Sequence, residues 1–405
     1  MKHLSVYFFV AVLTWSCSTE QNIQYQDIEK ALQAKFLMAE DGDVIKIEAG
    51  HFKFSNELWL DGRKNVTIKG AGIDKTFLSF KDQEEGAQGI KVTNGENIII
   101  EDLTVQDTDG DAFKVQKVNK LIFRNTRAEW TGGPKEENGA YGFYPVDCDN
   151  VLLENCIAIA ASDAGIYVGQ SRDIIVKNCE AFDNVAGIEI ENCIRADVFD
   201  NYAHGNTGGI LIFDMPGLTQ SGNGVRIYNN LVEKNNLFNF APEGNIVGEV
   251  PPGTGVMVLA TDNVEIFDND ITGNRTAGAI ITSYLLVRKP HKDKTFDPYP
   301  KGISIFDNKF STGFFQFPDT DNDIGKLLLA KFWLNLPDII YDGYLDPEAV
   351  GPDGKYTTEN KICIRNNGDI NFVNVDAPNE FANISTELSE HDCSTTKLPE
   401  VTLSL

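Results

Sequence analysis

Residues 162–193 read SDAGIYVGQSRDIIVKNCEAFDNVAGIEIENC, a phrase that nearly repeats itself. AGIYV at Ala164–Val168 returns as AGIEI at Ala186–Ile190, and the residues between them resemble the blocks on either side. Aligned on the last apolar residue before a polar corner, eight blocks superimpose: NIIIEDL, KLIFRNT, NVLLENC, DIIVKNC, ADVFDNY, VRIYNNL, VEIFDND and ISIFDNK. Their anchors are Ile100, Phe123, Leu153, Val176, Val198, Ile227, Ile266 and Ile305, with an earlier copy, NVTIKGAG, ending on Gly70. The shortest spacing is about 22 residues, and longer spacings read as the same unit carrying loop insertions.

Each block holds short Val- and Ile-rich strands with period-two alternation, and a fixed short period of such strands marks a solenoid. The leucine pattern and helical segment of a leucine-rich repeat are absent. The reading is an all-β right-handed parallel β-helix, three short strands per turn. A single turn cannot bury its own apolar face, but turns stacked about 4.8 Å apart build a continuous core.

The corners fit this architecture. Two residues after each anchor stand Asp102, Asn125, Asn155, Asn178, Asp200, Asn229, Asp268 and Asp307, residue types that tolerate a tight turn. One residue further, Cys156, Cys179, Asn201, Asn230, Asn269 and Asn308 share a column in which asparagines can bond from turn to turn. Cys148, Ser171, Cys193 and Met215 form a second column by spacing, so the four central cysteines read as core packing. The C-terminal pair, Cys363 and Cys393, is a plausible disulfide.

The ends differ from the middle. Residues 1–17 carry Lys2 and His3 before an apolar run too short to span a bilayer, as a signal peptide does. Leu13–Cys17 has the form of a lipoprotein box, making Cys17 a lipidation candidate. Residues 18–310 are expected to form the β-helix with an amphipathic N-terminal cap on Ile28, Leu32 and Phe36. Residues 311–405 lose the period and are expected to be an irregular C-terminal cap on the same domain. A formal charge of −25 repels nucleic acid and anionic lipid, which leaves the N-terminal lipid as the expected membrane contact.

The helical cap, GDVIKIEAGHF at Gly42–Phe52, VTIKGAG at Val66–Gly72 and the Asn-rich turns together resemble the right-handed β-helix superfamily of polysaccharide lyases, epimerases and hydrolases. More narrowly, the chain resembles exported bacterial parallel β-helix repeat-containing proteins. That resemblance implies a lipoprotein of the outer membrane or periplasm, or a secreted protein if Cys17 is not lipidated. It also implies a protein partner related to c-type cytochromes. YGFYP at Tyr141–Pro145 resembles the Tyr-Gly-Phe-Asp-Pro-His turn of mannuronan C5-epimerases. Here Tyr144 stands at the aspartate position and Val146 at the histidine position, and Tyr141 alone keeps its functional group.

Strand alternation places the candidate site. With Ile166 and Val168 facing inward, one outward column holds Lys114, Tyr144, Tyr167, Glu189 and Leu211, and its neighbour Gln116, Val146, Gly169, Glu191 and Phe213. Insertions at Glu129–Tyr141 on one side, and at Phe213–Gly224 and Asn235–Gly255 on the other, are expected to wall a groove there. Tyrosine faces stack on sugar rings. Lysis or epimerisation of a uronate requires its carboxylate to be neutralised, by Lys114 or by a calcium ion on Glu189 and Glu191. Tyr144 or Tyr167 would move the proton if nearby positive charge lowered its pKa. These residues point to a polysaccharide-binding protein that lyses or epimerises a uronate polymer. The alternative is a non-catalytic envelope scaffold meeting a protein partner through the basic segment Arg288–Lys294.

Overall fold

The computed structural model describes residues 23–287, 289–311, 317–320, 323–333 and 335–405. The signal-like segment, Cys17 and Arg288 lie outside the described residues.

The chain is a right-handed parallel β-helix with three strands per turn, as Tyr141–Val146, Asp149–Glu154 and Ile157–Ile159 illustrate. The first strands of successive turns form a sheet running from Asn56–Asp61 to Phe372–Asn374, and the second and third strands merge into a larger one. The sequence anchors pair in register: Ile100, Phe123, Leu153, Val176, Val198, Ile227, Ile266 and Ile305 lie directly above one another. All are buried and belong to one core that fills the solenoid.

Backbone geometry explains the repeated phrase. Asp102, Asn125, Asn155, Asn178, Asp200, Asn229, Asp268 and Asp307 all adopt the left-handed conformation, with φ between 49° and 62°, where Asn and Asp are the least strained side-chain-bearing residues. The Gly of each AG pair is required by close stacking: a Cβ at Gly187 would lie 2.6 Å from the Gly209 carbonyl oxygen. Asn201, Asn230, Asn269, Asn308 and Asn367 form an internal ladder, each side-chain amide donating to the next Oδ1 at 2.9–3.0 Å. A second ladder, Asn184–Asn206–Asn235–Asn274, runs up another corner. Cys156 and Cys179 are buried beneath the first ladder, and the Cys179 amide donates to Asn201 Oδ1 at 2.9 Å.

Two expectations about layout are corrected. Met215 leaves the Cys148–Ser171–Cys193 column because an insertion precedes that corner; Gly222 sits there instead, one residue before Asn223, the partner of Ile194. The stacking also continues past residue 310. Ile339–Tyr341, Ile362–Arg365 and Phe372–Asn374 extend both sheets, their period concealed by the long segments between them.

The N-terminal end is covered by a helix, Glu29–Met38, that buries Leu32 and Phe36 against the first turn. Among the described residues no helix is long and apolar enough to cross a membrane. At the other end Cys363 and Cys393 form a disulfide. From Cys393 the tail returns along the outside of the solenoid, crossing the strands. The Leu398, Val401 and Ser404 amides donate to Glu265, Asp197 and Asn150, at 2.9–3.2 Å.

Candidate functional site

The site lies on the outer face of the first-strand sheet, at mid-height. Strand pairing sets Lys114 beside Tyr144 and Tyr167 beside Glu189, which in turn stacks on Leu211. The neighbouring column is equally in register, from Gln116 through Val146, Gly169 and Glu191 to Phe213. Both columns point away from the core, as period-two alternation requires.

Outward does not mean solvated. Tyr167 is 4% exposed and Glu189 1%, which corrects the expectation of an open groove at these residues. A second apolar cluster, outside the solenoid, roofs the upper part of the face: Leu211, Phe213 and Met257 pack with Phe240, Val247 and Val250 of the Asn235–Gly255 insertion. That insertion enters over the sheet's leading edge, the same edge as Glu129–Tyr141, not the opposite one. Asn138 and Asn245 show it, reaching the Ala160 carbonyl and Asp163 respectively. The Phe213–Gly224 insertion crosses the trailing edge, where Thr219 binds Gln170. The basic segment braces the roof: Lys289 pairs with Glu249 and donates to the Asn245 carbonyl, and Asp293 accepts from the Gly217 amide.

Under this roof lies a cluster of tyrosines and carboxyl groups. Tyr141 and Tyr144 stack with centroids 4.4 Å apart, and Tyr167 tilts against both at 4.7 and 4.9 Å. The Tyr141 hydroxyl donates to Asp163 Oδ2 at 3.3 Å, and the Asn245 amide donates to the same oxygen at 3.1 Å. Tyr167 donates to Glu191 Oε1 at 2.6 Å. Lys114 Nζ lies 3.2 Å from Asp111 Oδ2 and 4.9 Å from the Tyr144 ring centre. The buried Glu189 Oε2 has no hydrogen-bond partner.

Burial dominates the electrostatics, since a charge removed from water is disfavoured unless compensated. Burial, reinforced by the Glu191 charge, lifts Asp163 to about 7. It also lifts Glu189 well above the usual carboxylate range, with Asp163 and Glu191 adding to the effect. Glu191 is also raised by burial, against the Tyr167 hydrogen bond, and Asp111 by burial, against Lys114. Tyr144 is pushed to about 12 by burial and then by Asp111, while Tyr141 and Tyr167 go well above the usual phenol value for the same first reason. The expectation of a tyrosine made acidic by nearby positive charge is therefore corrected: burial and the surrounding carboxylates outweigh Lys114 and raise the phenols.

Asp163, Asp111 and Asn245 were not singled out from the sequence. Asp111 and Asp163 stand just before strands of the same sheet, a weak signal; Asn245 is 82 residues from its partner and gave none. Among the described residues no group of three or more His, Cys, Asp or Glu is placed to hold a metal ion.

Residues 56–223 match the family described as right handed beta helix region. No curated protein sequence matches the chain. Among solved structures, the A-module of a mannuronan C-5 epimerase from Azotobacter vinelandii is similar, with TM-score 0.51 and 15% identity over 78% of this chain and 88% of that one. An alginate lyase from Paenibacillus sp. has TM-score 0.47 and 13% identity over 71% of this chain and 98% of that one. At 15% identity the likeness to the epimerase module speaks for the fold alone.

Proposed function

We propose that this right-handed β-helix protein binds a uronate-containing polysaccharide at Tyr141, Tyr144 and Lys114 and lyses or epimerises it. The observation that carries the reading is the Tyr141–Asp163 hydrogen bond, set beside a tyrosine stack and a lysine. Both reactions begin with removal of the sugar's C5 proton. Tyr141 accepts that proton as its own passes to the Asp163 carboxylate, whose pKa of about 7 suits proton exchange near neutrality. Lys114 offsets the charge that develops on the uronate carboxylate. Return of a proton to the opposite face of C5 inverts it; instead, breaking of the C4–O bond, with the departing oxygen taking the proton held by Tyr141 and leaving as a hydroxyl, gives the product with a C4–C5 double bond.

The protein is further proposed to be exported and tethered to the cell envelope through Cys17. The Cys363–Cys393 disulfide supports an oxidising compartment.

The test is a screen of purified protein against alginate, pectate, chondroitin and ulvan, with and without calcium. Ultraviolet absorbance and reducing ends report lysis; proton exchange at C5 in deuterated water reports epimerisation. Activity is expected to fall at least about a hundredfold in Tyr141→Phe and Asp163→Asn. Activity untouched by both substitutions would overturn the mechanism. Binding without turnover on any polymer would move the protein to the non-catalytic scaffold reading.

A further inference from the structure

The outward column that carries Tyr144 and Tyr167 does not begin there. Strand pairing continues it downward through Lys114 and Lys91 to Trp59. Trp59 is 44% exposed, Lys91, Lys114 and Tyr144 are half-buried, and Tyr167 and Glu189 are closed off. Accessibility thus falls along a single straight row, and the row ends at the apolar roof over Leu211 and Phe213.

The open part has the chemistry of an acidic glycan's binding track. An aromatic face stands at each end, Trp59 and Tyr144, and two ammonium groups stand between them. Lys91 lies 5.2 Å from the Trp59 ring centre and is held by Glu57 at 3.3 Å; Lys114 is held likewise by Asp111. Trp59 is fixed by its indole N–H donating to Thr93 at 2.9 Å. Three inter-turn steps span about 15 Å, room for a short oligosaccharide with its rings on the aromatics and its carboxylates at the lysines. In a protein of charge −25, two lysines stacked in one column, each paired with a single carboxylate, locally relieve the negative field.

We infer that the site takes its glycan end-on. The chain lies along Trp59, Lys91, Lys114 and Tyr144, and its terminus abuts Tyr167 and Glu189 beneath the roof. A polymer cannot run straight through, so action is at chain ends. This inference rests on the proposed uronate-binding function.

The experiment titrates free-ended oligouronates, from disaccharide to hexasaccharide, into the wild-type protein by calorimetry. The same oligomers are then titrated with a bulky label on the reducing end or on the non-reducing end. Affinity is expected to rise with length to about the tetrasaccharide and then level. One of the two labels should weaken binding at least about tenfold and the other should not. Trp59→Ala and Lys91→Ala should weaken the tetrasaccharide about tenfold and leave the disaccharide unchanged. Equal tolerance of both labels, or a Trp59→Ala effect independent of length, would overturn end-on binding while leaving the uronate reading intact. Absence of binding at every length would instead overturn the uronate reading itself, and the end-on inference with it.

Discussion

The buried Tyr167 hydroxyl and the half-buried Glu191 carboxylate meet at 2.6 Å across one turn of the solenoid. The hydrogen bond favours the charged form of Glu191 against a burial effect that opposes it. Tyr167→Phe removes a hydrogen bond to a charged group, which should cost about 1–3 kcal/mol. The loss should be larger at pH 8 than at pH 5, because only the ionised carboxylate depends strongly on the donor. Urea unfolding at the two pH values checks this; equal losses would show that the hydroxyl does not serve Glu191.

Asp163 gives the protein a pH dependence of definite sign. Folded, it holds its proton to about 7, whereas its ordinary value is 3.8. Through that window the folded state binds more protons than the unfolded state, so stability falls as pH rises. Asp163→Asn should flatten the decline of the thermal midpoint between pH 5 and 8. A residual slope remains, since Asp214 is also lifted to about 7 by burial. An unchanged slope would remove Asp163 from the account.

The internal ladder makes a separate prediction about stability. Asn230 donates to Asn269 and to the Val198 carbonyl, and its Oδ1 accepts from the Asn201 backbone and side chain. Asn230→Ala strands several buried groups at once and should cost about 2–4 kcal/mol in denaturant unfolding. A cost below about 1 kcal/mol would mean that the ladder is ornamental to the stack.

Loss of the disulfide should act mainly at the C-terminal end. Residues 363 and 393 close a loop of 30 residues, so Cys363→Ala with Cys393→Ala should cost about 3 kcal/mol. Amide exchange should quicken at Leu398 and Val401 while the central strands stay protected. Uniform loss of protection would refute this division.

The solenoid could be read from the sequence because its signal is local and repeated: each anchor, such as Val176, lies two residues before an Asx corner that needs the left-handed conformation. Alternation likewise placed Lys114, Tyr144, Tyr167, Glu189 and Glu191 in adjacent columns, which strand pairing reproduces. What alternation does not carry is the covering of a face. Val247 and Phe240, which close the roof over Leu211, sit in an insertion without periodicity, so its path had no local signature. Burial then reversed the expected electrostatics of Tyr144 and Tyr167. The turns at Ile339–Tyr341 and Ile362–Arg365 were missed because the segments before them outweigh the period.

The returning tail changes how such a molecule can come apart. In a stack whose units touch only their neighbours, end turns can fray one at a time. Here Val401 and Ser404 are bonded to residues 204 and 254 positions earlier in the chain. Unzipping from the C-terminal end must therefore first detach a clasp fastened near the middle, which links the fates of distant turns. The clasp is also made later than every turn it fastens. Turns can stack in order as they emerge, but this cooperative closure waits for Leu398, Val401 and Ser404.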